Sequence, residues 1–530
     1  MNLCEWKEKQ SQKVPPQYTH FDRRVSLDKC FGYITSPDKV AHHGFYPFIH
    51  YTIKSRKVKD GKKGEPKKRQ IYYAAHIDGW IYRYYAYLIN EAYNQRVKKD
   101  GIDFVAVAYR TNLRKSNIDF AKEAFQHIRN TTSCYVMIGD FTDFFDNLDH
   151  IYLKKQLCDL LSVEKLPDDF YAVYKNVTRF SYVELQDLLV LNGLEDTPKG
   201  RKEFNDRSHE RALFPEEFRK NKNIVYTIPH PKYGVPQGSP ISAVLANVYM
   251  LTVDRKLQEY VSSLGGFYMR YSDDFIVVIP QSTVDFSVHY KAIKSILDSV
   301  PHLELKDSKT KIFYFDNMSV KNCTNGFISN GANGKNIIEF LGFAFDGRHI
   351  RIRDKTISKY YNRLYRKLRT IVKDQGVTPN NHRISGENLY RKYSYKGSRY
   401  YLKRKAQRTG IPLTKDDMSG NWTMYSGHKR NLTVSPSIQQ QKDICKRYAN
   451  DSEASISEKR GGPQNGTAPL LLFLCGFFHL PSLYFTFHLL CLPRCKLSLP
   501  LLALIESQNV RQNATGNGLN LMLWYSGVID

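Results

Sequence analysis

The 530-residue chain is long enough for two to four domains or subdomains, and 79 Lys and Arg against 52 Asp and Glu leave a formal net charge of +27. All of that excess lies in residues 1–450, mixed with 35 of the 37 tyrosines, so the expected partner is nucleic acid ahead of a membrane: cations suit phosphates and flat rings suit bases. Of nine scattered cysteines only Cys491 and Cys495 are close-spaced, which excludes a paired-cysteine zinc site, and Met1–Lys7 lacks the apolar core of a signal peptide, so reduced thiols and a cytoplasmic setting are expected.

Taken in order, residues 1–60 are broken by Pro15, Pro16, Pro37 and Pro47. Lys57–Arg69, with Gly61 and Gly64, reads as a mobile basic loop feeding a strand that ends near Tyr73. Ala74–Asn94 and Ser116–His127 place apolar residues at helical spacing; core packing accounts for most of Asp78, Tyr82, Tyr85, Ile118, Ala121 and Phe125. Ser133–Asp140 is an apolar strand closing on an acid, and Phe141-Thr-Asp-Phe-Phe-Asp146 follows it. Leu148–Leu161 reads as a helix, and residues 162–229 as a long polar segment of solvated faces with no chemistry. Gly234-Val-Pro-Gln-Gly-Ser-Pro240 is a loop by its Gly and Pro content, leading into an apolar helix over Ile241–Tyr260.

Gly266–Pro280 reads as a β-hairpin with Ser272, Asp273 and Asp274 at its tip. Ile352–Lys373 is basic, aromatic and helical in spacing, a character that Tyr393–Tyr395 and Arg399–Lys405 continue. Residues 431–467 are polar and expected to be disordered, after which Ala468–Pro493 runs 26 residues without a charge. Pro481, His479 and His488 inside that run favour a translated frameshift or readthrough over a buried accessory segment, with a membrane anchor last.

A bare Asp-Asp at a hairpin tip is most simply a solvated turn. The second strand ending in acid changes that reading. Two strands delivering carboxylates to one place suit a two-metal phosphoryl-transfer site, in which shared acids hold two divalent ions at the attacking and leaving oxygens.

Asp140-x-x-x-Phe144-Phe145-Asp146, Gly234–Pro240 and Tyr271-Ser-Asp-Asp274 resemble motifs A, B and C of reverse transcriptases, in the family's order. The resemblance runs from about Lys67 to Val372. It implies an α+β right-hand polymerase fold: N-terminal region and fingers over 1–132, and a palm over 133–350 whose antiparallel sheet carries the carboxylates, with 162–229 as an insertion. A basic helical thumb over 351–430 and a polar then apolar tail over 431–530 would follow. It implies Asp140, Asp273 and Asp274 as ligands of two Mg²⁺ ions, with Mn²⁺ as a substitute, and Lys309 in a motif D-like string as a general acid to the leaving pyrophosphate. Lys68 and Arg69 would hold the triphosphate of the incoming deoxynucleotide, with Asp143, Phe145, Gln237 and Gly238 around that nucleotide and the template base pair. Phe145 would exclude a 2′-hydroxyl, and Glu339–Phe343 resembles motif E, the primer grip.

The resemblance narrows by what is missing. No acidic constellation follows motif E to build an RNase H domain, the cysteine pairs of group II intron endonucleases are absent, and so are the Asn-Ala-x-x-His and Val-Thr-Gly strings of retron polymerases. What remains is similar to the stand-alone bacterial reverse transcriptases of the group II intron and retron-like superfamily, many of them defence-associated; Ile71–Asp78 and Lys115–Ala121 look like that group's strings. The partners implied are an RNA template and DNA product, with a dedicated non-coding RNA as a further candidate. Two alternatives stay open: an RNA-dependent RNA polymerase, against which Tyr271-Ser272 and Phe145 argue, and a non-catalytic nucleic-acid-binding protein on the same fold, against which the intact acids argue.

Overall fold

A computed structural model describes residues 2–389, apart from 14–15, 57, 60–61, 208–209, 229–231, 329–333, 374–375, 379–382 and 385–388. The expectations for Tyr393–Lys405, residues 431–467 and Ala468–Pro493 therefore lie outside the described residues.

The chain begins with α1 (Leu3–Ser11), α2 (Leu27–Ile34) and α3 (Pro37–Ala41), which carry Trp6, Leu27, Ile34 and Val40 into the main core. Strand β1 (Phe48–Ser55) follows, then the short pair β2 (Val58–Lys59) and β3 (Lys62–Lys63), then β4 (Lys67–Tyr73). Here the structure departs from the sequence reading. Lys67–Arg69 are not in a loop: β4 pairs with β1 along its whole length, from Ile49↔Tyr73 to Ser55↔Lys67. The charges are tolerated because this end of β4 is exposed and β4 is the edge of its sheet.

Helix α4 (His76–Lys99) runs through the core, with Ile81, Tyr82, Tyr85, Ile89 and Tyr93 buried, and α5 (Asn117–Asn130) starts from a capping box at Ser116. After β5 (Ser133–Asp140) come α6 (His150–Leu161), α7 (Asp168–Thr178), β6 (Ser181–Glu184), α8 (Leu185–Leu191), α9 (Pro198–Asp206), α10 (Pro215–Lys220) and β7 (Val225–Thr227). The described residues of 162–228 are thus folded and part of the framework. β6 pairs parallel with β1, β7 pairs with β6, and the sheet order is β4-β1-β6-β7. Leu185, Leu188, Leu189 and Phe204 close a separate core against Phe21 and Ile49.

Helix α11 (Ser242–Ser263) leads to the hairpin β8 (Phe267–Tyr271) and β9 (Asp274–Pro280), then α12 (Phe286–Asp298), β10 (Lys311–Asp316) and β11 (Ser319–Asn322). These strands and β5 form an antiparallel five-stranded sheet in the order β11-β10-β5-β9-β8. β5 is central, so both faces are covered and alternate residues enter different cores. Met137, Phe275, Val277 and Tyr268 pack with α11 and α4, whereas Val136, Ile276, Val278 and Met269 pack with α5. The latter core also takes in a small sheet of β12 (Ile338–Phe340), β13 (Phe343–Phe345) and β14 (Ile350–Ile352). Finally α13 (Asp354–Lys373) turns Leu364 and Leu368 inward and leaves Lys359, Arg363, Arg366 and Arg369 exposed. Among the described residues, no helix is long and apolar enough to cross a membrane.

Candidate active site

β5 ends on Asp140, and its partner across the β5–β9 ladder is Asp274. Tyr271 pairs with Asp274 across β8–β9, which leaves Ser272 and Asp273 as a two-residue turn, with Ser272 at φ +62°. Phe141 N–H donates to the Asp273 carbonyl (3.4 Å) and Lys306 N–H to the Asp140 carbonyl (3.0 Å). Three carboxylates from two non-adjacent stretches therefore meet at one end of the sheet. Gly139, just before Asp140, has no room for a side chain: a Cβ would run into the Phe275 ring on the neighbouring strand.

The acids repel one another. Partial desolvation, then Asp273 and Asp140, push the Asp274 carboxyl up to about 6, while Lys309 and Arg353 pull the other way. Lys309 forms an ion pair with Asp140, its ammonium on Oδ1. The general acid suggested by the resemblance is thus seated beside the first carboxylate, on a side chain still 41% exposed.

Two loops are clasped beside the acids. Gly234 N–H donates to Leu148 C=O and Val235 N–H to Phe145 C=O, both at 2.9 Å, joining the turn after β5 to the loop before α11. Asp143 is exposed in the left-handed region (φ +41°), and Phe145 is half-buried, edge-on to the buried Phe144. The second loop also reaches the first sheet: Tyr72 N–H donates to Gln237 C=O (2.9 Å). At Gly238 (φ +118°) a Cβ would lie 2.7 Å from the Tyr72 carbonyl oxygen and 3.3 Å from Ile71 Cγ2, so only glycine fits this approach. Lys68 and Arg69 are exposed on the same strand, and Arg69 shares the face of Ile71, which packs toward Gly238. The structure therefore brings Asp140, Asp273, Asp274 and Lys309 together, and sets Asp143, Phe145, Gln237 and Gly238 in adjoining loops. Lys68 and Arg69 stand further along β4.

Several residues of the site were not singled out by sequence. Arg270 and Asp254 form a fully buried ion pair (Nη2–Oδ2 2.6 Å, Nε–Oδ1 2.9 Å), and Arg270 Nη1 donates to the Ser272 carbonyl (2.9 Å), tying the turn to α11. Only the lone Arg in the apolar strand β8 gave a signal, since Asp254 is followed directly by Arg255 and Lys256 in α11. Arg353, just before α13, has no such signal; it faces Asp274 electrostatically and lies 3.5 Å from Glu339.

The donor set bears on the divalent ions that the resemblance implies. Among the described residues no group of three or more His, Cys, Asp or Glu is drawn together tightly enough to hold a metal ion. The donors at hand are nonetheless all carboxylate oxygens, the chemistry that Mg²⁺ or Mn²⁺ prefers, and the repulsion raising Asp274 is what a cation would relieve.

Residues 211–345 match the family model described as Reverse transcriptase (RNA-dependent DNA polymerase). The match takes in the Gly234–Pro240 loop, α11 and the β8–β9 hairpin, and begins after Asp140. No curated protein matches the sequence. Among solved structures, telomerase from Candida albicans in complex with a fragment of telomeric RNA is 14% identical, with 81% of this chain and 68% of that one covered and a TM-score of 0.35. Apo telomerase from Candida tropicalis is 13% identical (78% and 63% covered, TM-score 0.35), and its form truncated from the C-terminal domain is 11% identical (57% and 55% covered, TM-score 0.35). The chain thus spans about half to two thirds of the length of these telomerases. Over residues 211–345 the chain is similar to reverse transcriptases, and the protein has the α+β right-hand polymerase fold, its antiparallel palm sheet carrying Asp140, Asp273 and Asp274.

Proposed function

We propose that the protein is an RNA-directed DNA polymerase. The observation that carries the reading is the register pair Asp140↔Asp274 with Asp273 in the adjoining turn, strained by mutual repulsion, beside a segment that matches reverse transcriptases. In the reaction, the 3′-oxygen of a primer forms a bond to the α-phosphorus of a deoxynucleoside triphosphate. The bond from that phosphorus to the bridging oxygen breaks, pyrophosphate leaves, and the hydroxyl proton passes to solvent. Asp140, Asp273 and Asp274 would hold two divalent ions, Mg²⁺ or Mn²⁺, which when bound supply charge neutralisation at the attacking and leaving oxygens.

The chain's own groups would do the rest. Lys309 has a flexible stem, so its ammonium can exchange Asp140 for the departing pyrophosphate and protonate it. Arg69, with Lys68, would grip the triphosphate from β4; its place on the face of Ile71 makes Arg69 the better candidate. Gln237 and Gly238 would let backbone approach the new base pair, and Phe145, with Asp143 beside it, would press on the sugar and exclude ribose. The exposed cations of α13 suit a duplex backbone. An RNA template, a DNA product, a dedicated non-coding RNA, a cytoplasmic setting and a role in bacterial anti-phage defence belong to this reading through the sequence resemblance.

The test is primer extension by the full chain with Mg²⁺, deoxynucleotides and an RNA template annealed to a DNA primer. Asp273→Ala with Asp274→Ala should lose at least a thousandfold in rate while keeping RNA binding and a cooperative melt no lower than that of the unaltered chain. Near-normal incorporation by that variant would remove the acids from the chemistry. Equal use of ribonucleotides by the unaltered chain would favour an RNA polymerase.

A further inference from the structure

We infer that Tyr109 is a positioning residue for the catalytic turn, acting through Ser272; this rests on the polymerase reading above. Tyr109 lies 163 residues before Ser272 in sequence, yet its hydroxyl is 2.9 Å from Ser272 Oγ. Ser272 is buried, and the next two residues are Asp273 and Asp274. The contact therefore grips the one residue of the turn that carries no charge and sits in the left-handed region.

The backbone around Tyr109 is built to deliver that hydroxyl. Residues 105–108 run beside β8 as an irregular parallel edge: Arg270 N–H donates to Val105 C=O (2.8 Å) and Val107 N–H to Arg270 C=O (3.0 Å). Asn247 Nδ2 holds the Ala108 carbonyl at 3.0 Å. On the other side the Arg110 side chain is fully buried, paired with Asp103 and donating to Asn94 Oδ1 (2.9 Å) and Ala106 C=O (3.2 Å). Between these two anchors Tyr109 is forced to φ +64°, an uncommon conformation for a bulky residue that the flanking contacts must hold in place.

Ordinary core packing does not account for this, because Tyr109 is 45% exposed. A strained, exposed aromatic whose one polar atom meets the catalytic turn makes sense if its task is to fix that turn. Arg270 grips the same turn from below at the Ser272 carbonyl (2.9 Å), so backbone and side chain of Ser272 are held from two sides. Asp273 and Asp274 are thereby presented at a fixed height against Asp140.

The experiment is a double-mutant cycle on the full chain: Tyr109→Phe, Ser272→Ala and both together. Single-turnover extension of a DNA primer on a homopolymeric RNA template with Mg²⁺ gives the rate and the deoxynucleotide KM. Each single variant should lower the rate about three- to tenfold, as expected for one hydrogen bond, with KM within twofold. The double variant should be no slower than the worse single, since both remove the same contact. Amide hydrogen exchange provides a readout free of activity: Tyr109→Phe should speed exchange in peptides covering 267–275 and leave α4 and α11 unchanged. A full rate in Tyr109→Phe, or single effects that multiply in the double variant, would overturn the inference. So would unchanged exchange across the hairpin. An unaltered chain that extends no primer would instead overturn the polymerase reading, and the exchange measurement would still decide whether Tyr109 holds the turn.

Discussion

Asp274→Asn should make the protein more stable and inactive at once. Burial and its two acidic neighbours raise the Asp274 carboxyl from 3.8 to about 6, so the folded state prefers the proton more than the unfolded chain does. Stability from this group is fully present below the unfolded value of 3.8, falls as pH rises, and is gone above about 6. A shift of that size corresponds to about 3 kcal/mol at 1.36 kcal/mol per unit, but the side chain is open to solvent on one side, and screening reduces the figure to about 1 kcal/mol. Asparagine keeps the shape and removes the charge. At pH 8 in chelator, Asp274→Asn should therefore unfold about 1 kcal/mol later in urea and melt about 2 °C higher. Near pH 4 the two proteins should coincide. Mg²⁺ should stabilise the unaltered chain more than the variant, because only the former has repulsion to relieve. A variant equally or less stable at pH 8 would show that Asp274 is not strained in the fold and that the mutual repulsion argued above is absent.

Two other outcomes follow from the same geometry. Asp254→Ala should destabilise the fold by about 3–5 kcal/mol, since it strands the buried Arg270 charge, and chemical denaturation measures it. Phe145→Ala should admit ribonucleotides, raising ribonucleotide incorporation relative to deoxynucleotide by at least tenfold in competition assays, whereas unchanged selectivity would return Phe145 to the role of a packing residue.

What the sequence made legible tracks how local each feature is. β5 reads directly from Ser133–Asp140 because a central strand buried on both faces is an unbroken apolar run, and β9 reads from Asp274–Pro280 for the same reason. The helices α6, α11 and α13 lie within a few residues of where their spacing puts them, at His150–Leu161, Ser242–Ser263 and Asp354–Lys373. The failures have tertiary causes. β6 and β7 are four and three residues long, β6 adding to the edge of β1 and β7 to that of β6, so no window of sequence could announce them. Lys67–Arg69 look like loop by composition, yet continue the ladder opposite Ser55, Lys54 and Ile53 because β4 is an exposed edge.

The site divides along the same line. Asp273 and Asp274 announce themselves through a local hairpin, but that Asp140 faces Asp274 depends on a pairing between strands more than a hundred residues apart, with only the order of motifs to hint at it. The groups that touch these acids or their turn are more distant still in sequence: Lys309 is 169 residues from Asp140, and Tyr109 is 163 from Ser272. Acids of this kind are easy to supply and hard to hold, because each wants to turn away from the others. The hairpin bearing two of them rests on a fully buried Arg270–Asp254 pair, at a desolvation cost that ordinary packing would avoid, and glycine is required at 139 and 238 because Phe275 and Tyr72 close in there. The charges that would perform the chemistry are therefore readable from short strings, whereas the charges and hydroxyls that would aim them become visible only once the chain has folded.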